Sequence, residues 1–287
     1  MVHPCEQSAL AGAVDAAGHG LIEPIYVGPR ARIIEIAERS GIDLGSAPIV
    51  DAPHSQAAAT SAVALVREGR AELLMKGSLH TDELLGAVVA RESGLRTGKR
   101  ISHAFIMDVP TYHKVLIVTD AAINIAPSLE DKADICRNAI DLARSLGRQR
   151  PKVAVLAAVE TVNSKMPATL DAAALSKMAE RGQIRGGLID GPLAFDNAIN
   201  REAAHTKGIL SEVAGDPDIL LAPDLEAGNI LAKLLAFLAN ADSAGLVLGA
   251  RVPVILTSRA DSVRARVASC AVAMLAAHAR RASGALA

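Results

Sequence analysis

The chain has 287 residues, which is enough for one large α/β domain or two smaller ones with real cores. Hydrophobic residues make up 51% but aromatics only 2%, so aliphatic side chains must build the core, as in buried parallel strands covered by Ala-rich helices. The net charge is −1 and no apolar run approaches the ~20 residues that span a bilayer, so we expect no nucleic-acid or membrane partner.

The three cysteines, Cys5, Cys136 and Cys270, are isolated and lack metal-site spacing. They favour free thiols in a reducing cytosol. The N-terminal stretch Met-Val-His-Pro-Cys does not have the pattern of a signal peptide. We therefore expect a cytoplasmic protein, although the abrupt start leaves open a shortened first strand or a fragment of a longer chain.

Short apolar runs alternate with longer amphipathic segments from Ile22 onward. The predicted strands are 22–27, 47–50, 72–76, 103–108, 115–119, 152–157, 187–190, 219–221, 246–248 and 254–256. The predicted helices are 29–39, 55–68 (with Ser55 as its cap), 81–92, 128–146, 170–181, 226–240 and 261–280. Strands 103–108 and 115–119 are predicted to form an antiparallel hairpin. The remaining strand–helix units predict a mostly parallel sheet with helices on both faces.

Ligands of such sheets bind in the loops at the carboxyl ends of the strands. Residues 76–81, Lys-Gly-Ser-Leu-His-Thr, join a strand to a helix, so their backbone amides can bind an anion or simply cap the helix. Residues 94–100 concentrate Arg96, Lys99 and Arg100 in a glycine-bearing loop. That loop is either a phosphate site or a solvated run of charge.

Three further loops carry polar side chains after predicted strands. Residues 119–127 place Asp120 and Asn124 in an apolar stretch, where they need partners. They can also serve only to brace a turn or to cap the next helix. Residues 160–167 hold Asn163 and Lys165, and residues 190–198 hold Asp196, which can alternatively cap a helix.

The most specific loop is Leu-Thr-Ser-Arg-Ala-Asp-Ser at residues 256–262, between the last strand and the last helix. A guanidinium at a strand end suits a developing phosphoryl oxyanion. Asp261 or Ser262 can also cap the helix. The chain has no G-x-G-x-x-G after a strand, no P-loop and no H-E-x-x-H, so we expect no metal or nucleotide cofactor.

Together these segments resemble the phosphate acetyltransferase/phosphate butyryltransferase family, in order and over nearly the whole chain. The matching segments are Gly-Leu-Ile-Glu-Pro-Ile (20–25), Met-Lys-Gly (75–77), Gly-Leu-Arg-Thr-Gly (94–98), Thr-Asp-Ala-Ala-Ile-Asn-Ile-Ala-Pro (119–127), Glu-Thr-Val-Asn-Ser-Lys-Met-Pro (160–167), Asp-Gly-Pro-Leu-Ala-Phe-Asp (190–196), Pro-Asp-Leu-Glu-Ala-Gly-Asn (223–229) and Leu-Thr-Ser-Arg-Ala-Asp (256–261). The chain looks closer to the butyryltransferase branch and to the acyltransferase part of hydratase-fused proteins.

The resemblance implies the reaction acyl-CoA + phosphate ⇌ acyl phosphate + CoA, with acetyl-CoA or butyryl-CoA and without a cofactor. It implies a homodimer whose chains have two three-layer α/β/α domains with mostly parallel sheets and an interdomain cleft, the architecture of isocitrate/isopropylmalate dehydrogenases. The last helix would return to the first domain, so the expected domains are 1–124 plus 255–287, and 125–254.

The resemblance also assigns site residues. Arg259 would stabilise the charge of the tetrahedral intermediate, and Ser258 would bind the carbonyl or thiol end. The catalytic Asp of the acetyltransferase branch aligns with Ala265, which leaves Asp261 as the nearby candidate base. The expected substrate-binding residues are Lys76, Ser78, Thr81, Arg96, Arg100, Asn124, Asn163, Lys165 and Asp196; Arg96 or Arg100 would bind phosphate, because the first helical turn after residue 80 lacks the branch's Arg.

Two other readings remain. A metal- and NAD-dependent decarboxylating dehydrogenase of similar architecture would need converging acids, for which Asp190, Asp196 and Asp224 are available. A catalytically weakened CoA-binding domain would explain the lost carboxylate. The Leu-Thr-Ser-Arg loop argues against the first reading, and the intact Ser258-Arg259 pair argues against the second.

Overall fold

The computed structural model describes residues 1–257 and 261–282. The chain divides into two compact units, Met1–Lys99 with Ala244–Ala287, and Arg100–Ser243. The domain boundaries expected from the sequence, near residues 124 and 254, differ from the boundaries of these two units and stay a prediction.

Helices and strands alternate through most of the described chain. In order they are α1 (Gln7–Gly18), β1 (Tyr26–Gly28), α2 (Arg30–Arg39), β2 (Ile49–Asp51), α3 (Ser55–Arg67), β3 (Leu74–Met75), α4 (Thr81–Val88), β4 (Ser102–Asp108), β5 (Leu116–Thr119), α5 (Leu129–Ser145), β6 (Lys152–Leu156), α6 (Pro167–Glu180), β7 (Leu188–Leu193), α7 (Phe195–Ile199), α8 (Arg201–Thr206), β8 (Ile219–Leu221), α9 (Leu225–Phe237), β9 (Asp242–Leu248), β10 (Val254–Ile255) and α10 (Val263–Ala282).

The first unit is built on parallel strand pairs. Strands β1 and β2 are parallel, as are β3 and β10, while β9 runs antiparallel to β10. Val2 connects the two parallel pairs, because it forms parallel bridges to Val27 and to Lys76. The segments that leave Val2, β1, β2, β3 and β10 therefore emerge at one edge, where ligands of such sheets bind.

The second unit has the strand order β4-β5-β8-β6-β7. Strand β4 runs antiparallel to β5, which confirms the predicted hairpin, and the pairs β5–β8, β8–β6 and β6–β7 are parallel. The chain is thus a mixed α/β protein with mostly parallel sheets, as the strand–helix alternation predicted.

Aliphatic side chains build both cores, as the composition requires. In the first unit Leu10, Ile33 and Ile36 pack around Tyr26, and burial raises the pKa of that phenol to about 12. In the second unit a larger cluster includes Val118 and Leu220. The three cysteines are free and buried. Among the helices of the described residues, none has the length and hydropathy to cross a bilayer.

An ion cluster lies where β5, β6 and β8 begin. Nζ of Lys152 lies 2.7 Å from Asp216, and Nζ of Lys114 lies 3.0 Å from Asp216 and 2.8 Å from Asp218. Burial opposes ionisation of Asp216, but the two ammonium groups outweigh it and hold the pKa of this carboxyl well below its usual range. The cluster fastens together the amino ends of three parallel strands.

Several sequence-based assignments were wrong in detail. Helix α1 was missed, because its apolar residues are mostly alanines and give a weak amphipathic signal. Helices α7 and α8 were missed because they have only five and six residues. The cap of α3 is His54, whose Nδ1 accepts from the amide of Ala57, and not Ser55.

Candidate functional site

The loop after β3 is fixed to the segment that follows Val2. The amides of Gly77 and Ser78 donate to the carbonyls of Val2 and His3, both at 2.9 Å. The hydroxyl of Ser78 donates to the carbonyl of His3 at 2.9 Å, and Nδ1 of His3 lies 3.1 Å from that hydroxyl oxygen. Nε2 of His3 lies 3.6 Å from Sγ of Cys5. A serine, a histidine and a thiol therefore share this edge of the first unit.

Gly77 permits this close approach. A Cβ at this position would lie 2.4 Å from the carbonyl oxygens of both Val2 and His3, closer than any real contact. His3 itself has a φ of 49°, in the left-handed region that non-glycine residues seldom adopt. The predicted Lys-Gly-Ser segment therefore has a packing reason for its glycine, besides any role in binding anions.

The surroundings of His3 favour the neutral form of its imidazole. Burial is the main cause that lowers the pKa of His3, and the guanidinium of Arg32 adds to it. Nζ of Lys76, which is also buried, donates to the carbonyl of Gly77 at 3.4 Å. This part of the edge thus combines an imidazole whose pKa is lowered with a buried lysine side chain.

Thr81 is the first residue of α4, as the sequence predicted for the helix start. Oε2 of Glu83 accepts from the amide of His80 at 3.0 Å, and the hydroxyl of Ser55 donates to Oε1 of Glu83 at 2.6 Å. The Ser55 bond is the main cause that holds the pKa of Glu83 below its usual value. The amino end of α4 therefore carries an anchored carboxylate.

Arg96 lies in a segment pinned to the chain before β10. The backbone of Arg96 forms an antiparallel β-bridge with Ala250, and the hydroxyl of the neighbouring Thr97 donates to the carbonyl of Gly249 at 2.6 Å. The side chain of Arg96 is exposed. The backbone here is fixed while the guanidinium faces solvent, which suits a ligand for an incoming anion.

The loop after β10 is described only at its two ends. Ser258 and Arg259, the predicted catalytic pair, lie outside the described residues. Thr257 is buried and accepts a 2.7 Å hydrogen bond from Nη1 of Arg266. Asp261 is half-buried, and the hydroxyl of Ser262 accepts from the amide of Ala265 at 3.1 Å, so Ser262 is a cap of α10.

Arg100 and Asn124 meet in the second unit. Nε of Arg100 donates to Oδ1 of Asn124 at 2.8 Å and lies 3.4 Å from Oδ1 of Asp131. Asn124 is buried and also donates to the carbonyl of Ile101 and to Asp120. Asp120 in turn accepts the amide of Asn124 at 3.2 Å. The polar pair of this loop braces its own turn, one of the two roles that the sequence left open.

The remaining predicted residues lie at loops that follow β6 and β7. Asn163 and Lys165 are exposed, and Oδ1 of Asn163 accepts from the amide of Lys165 at 2.9 Å. Asp196 is exposed within α7 and does not cap it, since the cap residue is Ala194. Nζ of Lys207 lies 3.8 Å from Asp196. Asp196 thus has the ammonium group of Lys207 as a neighbour.

Lys207 also donates to Oε2 of Glu160 at 2.9 Å. That bond is the main cause that lowers the pKa of Glu160 and raises the pKa of Lys207. Next to it, Oδ1 of the buried Asn197 has no hydrogen-bond partner among the described atoms.

The acids that a metal-dependent dehydrogenase would need have other roles. Asp224 caps α9 by accepting from the amide of Ala227 at 2.8 Å, and Asp190 accepts from the amide of Gly191 at 2.9 Å. Within residues 1–257 and 261–282, no three His, Cys, Asp or Glu side chains are grouped to hold a metal ion.

Sequence reasoning overlooked His3 and Arg266. His3 is 75 residues from Ser78, so only the bridges of Val2 reveal that they are neighbours. Arg266 had a detectable signal, because it falls on the buried stripe of α10 with Ser269, Cys270 and Ala273. A guanidinium on a buried helix face needs a polar partner.

Known proteins resemble this chain over nearly its full length. The family model described as phosphate acetyl/butaryl transferase matches residues 53–274. A phosphate acetyltransferase of Rhizobium meliloti is 63% identical over 283 residues, which cover 99% of this chain and 90% of the relative. A phosphate butyryltransferase of Clostridium acetobutylicum is 43% identical over 270 residues, covering 94% of this chain and 90% of the relative.

A solved structure agrees with the sequence relatives. The branched-chain phosphotransacylase from Enterococcus faecalis V583 superposes with a TM-score of 0.83 at 30% identity, covering 97% of this chain and 99% of that one. These likenesses do not favour the dehydrogenase reading. The chain belongs to the phosphate acetyl/butyryl transferase family.

Proposed function

We propose that this protein is a phosphate acyltransferase that converts a short-chain acyl-CoA and phosphate into an acyl phosphate and CoA. The observation that carries the proposal is the 63% identity to a phosphate acetyltransferase over 99% of the chain. The Leu-Thr-Ser-Arg loop, which follows a parallel strand of the first unit, supports it. Acetyl-CoA and butyryl-CoA are the proposed acyl donors, and no further cofactor takes part.

The proposed chemistry is attack by a phosphate oxygen on the thioester carbonyl. The carbonyl oxygen becomes negative in the tetrahedral intermediate, and the guanidinium of Arg259 stabilises that charge. Ser258 holds the carbonyl or thiol end of the substrate. CoA then leaves as the thiolate, and Asp261 is the proposed group that exchanges a proton with the thiol.

Arg96 is the proposed phosphate ligand. Its guanidinium is exposed on a fixed backbone, whereas the guanidinium of Arg100 already donates to Asn124 and faces the carboxylate of Asp131. Arg100 therefore has part of its charge compensated within the protein. The other proposed substrate ligands are Lys76, Ser78 and Thr81 in the first unit, and Asn124, Asn163, Lys165 and Asp196 in the second.

Release of CoA thiol from acetyl-CoA and from butyryl-CoA, with and without phosphate, tests the proposal. We expect phosphate-dependent release by the wild type and a loss of about 10²–10³ in kcat for Arg259→Ala. Arg251→Ala, which removes an exposed guanidinium from the same unit, is the matched control. The function is wrong if no short acyl-CoA reacts, and the mechanism is wrong if Arg259→Ala is as active as the wild type.

We also propose that the protein is a cytoplasmic homodimer. Helix α9 supports the dimer, because its outer face and the residue after it carry four exposed apolar side chains, which are Ile230 (65% exposed), Leu234 (45%), Phe237 (75%) and Leu238 (80%). An apolar stripe of this kind on a helix marks a protein interface. We further propose that the chain has three-layer domains with boundaries near residues 124 and 254, as in isocitrate/isopropylmalate dehydrogenases. The helices interleaved with parallel strands support this architecture.

A further inference from the structure

Arg266 is a charged side chain in the interior of the first unit. It lies on α10 and only 1% of its side-chain surface is exposed. Removing a guanidinium from water costs several kcal/mol unless hydrogen bonds and charges replace the lost hydration. The partners of Arg266 therefore indicate what this buried charge does for the protein.

Arg266 is hydrogen-bonded to the first described residue after β10 and Leu256, which is Thr257. Nη1 donates to Oγ1 of Thr257 at 2.7 Å, and Thr257 is itself buried. On the other side, Nη2 lies 3.5 Å from Oγ of Ser8 and 3.7 Å from Oε1 of Glu6. The guanidinium thus joins the start of α1 to Thr257, the residue that directly precedes Ser258 and Arg259.

The surrounding helices leave room for this one side chain. A Cβ on Gly12 of α1 would lie 2.8 Å from Cδ of Arg266, so the glycine provides the space that the arginine fills. One turn further along α10, the hydroxyl of Ser269 accepts from the amide of Gly245 at 3.0 Å and donates to the carbonyl of Ala265 at 2.7 Å. The first turns of α10 are therefore fixed to α1 and to β9 as well as to Thr257.

We infer that Arg266 is a positioning residue for the reaction, which fixes the hydroxyl of Thr257, the residue to which Ser258 is joined in the chain. The inference rests on the proposed function for its kinetic consequence. The planar guanidinium of an arginine, which can donate two parallel hydrogen bonds, suits this task better than the flexible ammonium group of a lysine. Misplacing a catalytic loop slows the chemical step more than it weakens substrate binding.

The kinetic test uses three variants, which are Arg266→Met, Thr257→Val and the double variant that combines them. The control is Arg281→Met, which removes an exposed guanidinium from the far end of the same helix. We expect kcat to fall about 10- to 100-fold in each single variant, with a much smaller change in KM for acyl-CoA. The double variant should be about as slow as the slower single variant, because either single change already breaks the Arg266–Thr257 bond. A kcat of folded Arg266→Met within twofold of the wild type overturns the inference, as does a double variant whose loss equals the product of the single losses.

A second readout separates this inference from the proposed function. Hydrogen–deuterium exchange of the peptide 256–262 should be faster in Arg266→Met than in the wild type and unchanged in Arg281→Met. If the wild type has no acyltransferase activity but the exchange changes as expected, the function is wrong and the anchoring of the loop is retained. Equal exchange rates in the wild type and Arg266→Met overturn the anchoring.

Two milder variants serve if Arg266→Met does not fold. Thr257→Ser keeps the hydroxyl and should recover most of the kcat that Thr257→Val loses. Gly12→Ala displaces the arginine without removing its charge, and we expect it to lower kcat several-fold. A Thr257→Ser as slow as Thr257→Val, or a folded Gly12→Ala with wild-type kcat, contradicts the role of the Arg266–Thr257 bond.

Discussion

Nδ1 of His3 lies 3.1 Å from Oγ of Ser78, although 75 residues separate them in the chain. The same hydroxyl donates to the carbonyl of His3 and accepts from the amide of Cys5 at 3.2 Å. This contact fixes the loop after β3 at the edge where substrate is proposed to bind.

His3 should make stability depend on pH. The pKa of His3 in the folded protein is lowered from the usual value of about 6.5, chiefly by burial. As the pH falls through that value, the unfolded chain therefore binds more protons than the folded chain. Stability should therefore increase as the pH rises through this window, and His3→Gln should flatten the increase. The groups that act on the ring are Arg32, Glu83 and His54, besides its contacts Ser78 and Cys5.

Urea unfolding between pH 5 and 7.5 measures this effect. His19→Gln is the control substitution, since it removes an exposed imidazole at the end of α1. An equal slope in the wild type and His3→Gln would show that the ring of His3 is equally protonated in both states.

Gly77→Ala should destabilise the first unit and lower activity. The new Cβ would overlap the carbonyl oxygens of Val2 and His3, and forced overlap in a packed region costs about 1–3 kcal/mol. Gly86→Ala is the control, because a Cβ in that part of α4 meets nothing within 4 Å and should add about 0.5–1 kcal/mol of stability. Thermal melts distinguish the two, and a Gly77→Ala protein as stable as the wild type would contradict the close approach.

Asp216→Asn should lower the free energy of unfolding by about 3 kcal/mol, because it leaves Lys152 and Lys114 without their shared carboxylate. The pKa of Asp216 is depressed in the folded protein, so its contribution is full above the unfolded value of about 3.9 and is lost as the pH falls further. Glu180→Gln removes an exposed pair with Lys177 and should cost less than about 1 kcal/mol. Denaturant titrations at pH 7 that give equal losses would refute the role of the cluster.

Arg96→Ala should raise KM for phosphate about 10-fold or more while KM for acyl-CoA changes little. The exposed guanidinium is the proposed phosphate ligand, and hydrogen bonds to charged groups contribute about 1.5–3 kcal/mol. Arg91→Ala, at another exposed arginine of the same unit, is the control. Initial rates at varied phosphate provide the measurement. If Arg100→Ala raises this KM and Arg96→Ala does not, the assignment passes to Arg100.

Phe237→Lys should convert the proposed dimer to monomer, because a charge replaces the 75%-exposed ring of α9. Sedimentation velocity at several concentrations measures the change. Lys233→Gln on the same helix is the control and should stay dimeric. If the wild type is a monomer, the dimer proposal is wrong. If Phe237→Lys is still a dimer, the dimer interface does not include this face of α9.

The sequence predicted the elements whose periodicity is strong. The hairpin β4–β5, the long helix α5 and the parallel strands β6 and β8 follow from local pattern alone. Helix α1 was not predicted, since its apolar residues are mostly alanines, whose burial against α10 is set by the tertiary fold. Sequence motifs also identified the family, because chemistry at strand ends requires fixed residue types in a fixed order.

Tertiary structure decided which of the polar loop residues have partners within the protein. From the chain alone, Arg96 and Arg100 were equivalent, but folding gives Arg100 the amide of Asn124 and leaves Arg96 facing solvent. The contacts His3–Ser78 and Arg266–Thr257 likewise exist only because parallel strands bring distant segments to one edge. Local sequence determines helix, strand and motif through short-range periodicity, whereas hydrogen bonds between distant residues depend on strand register, which the fold alone sets.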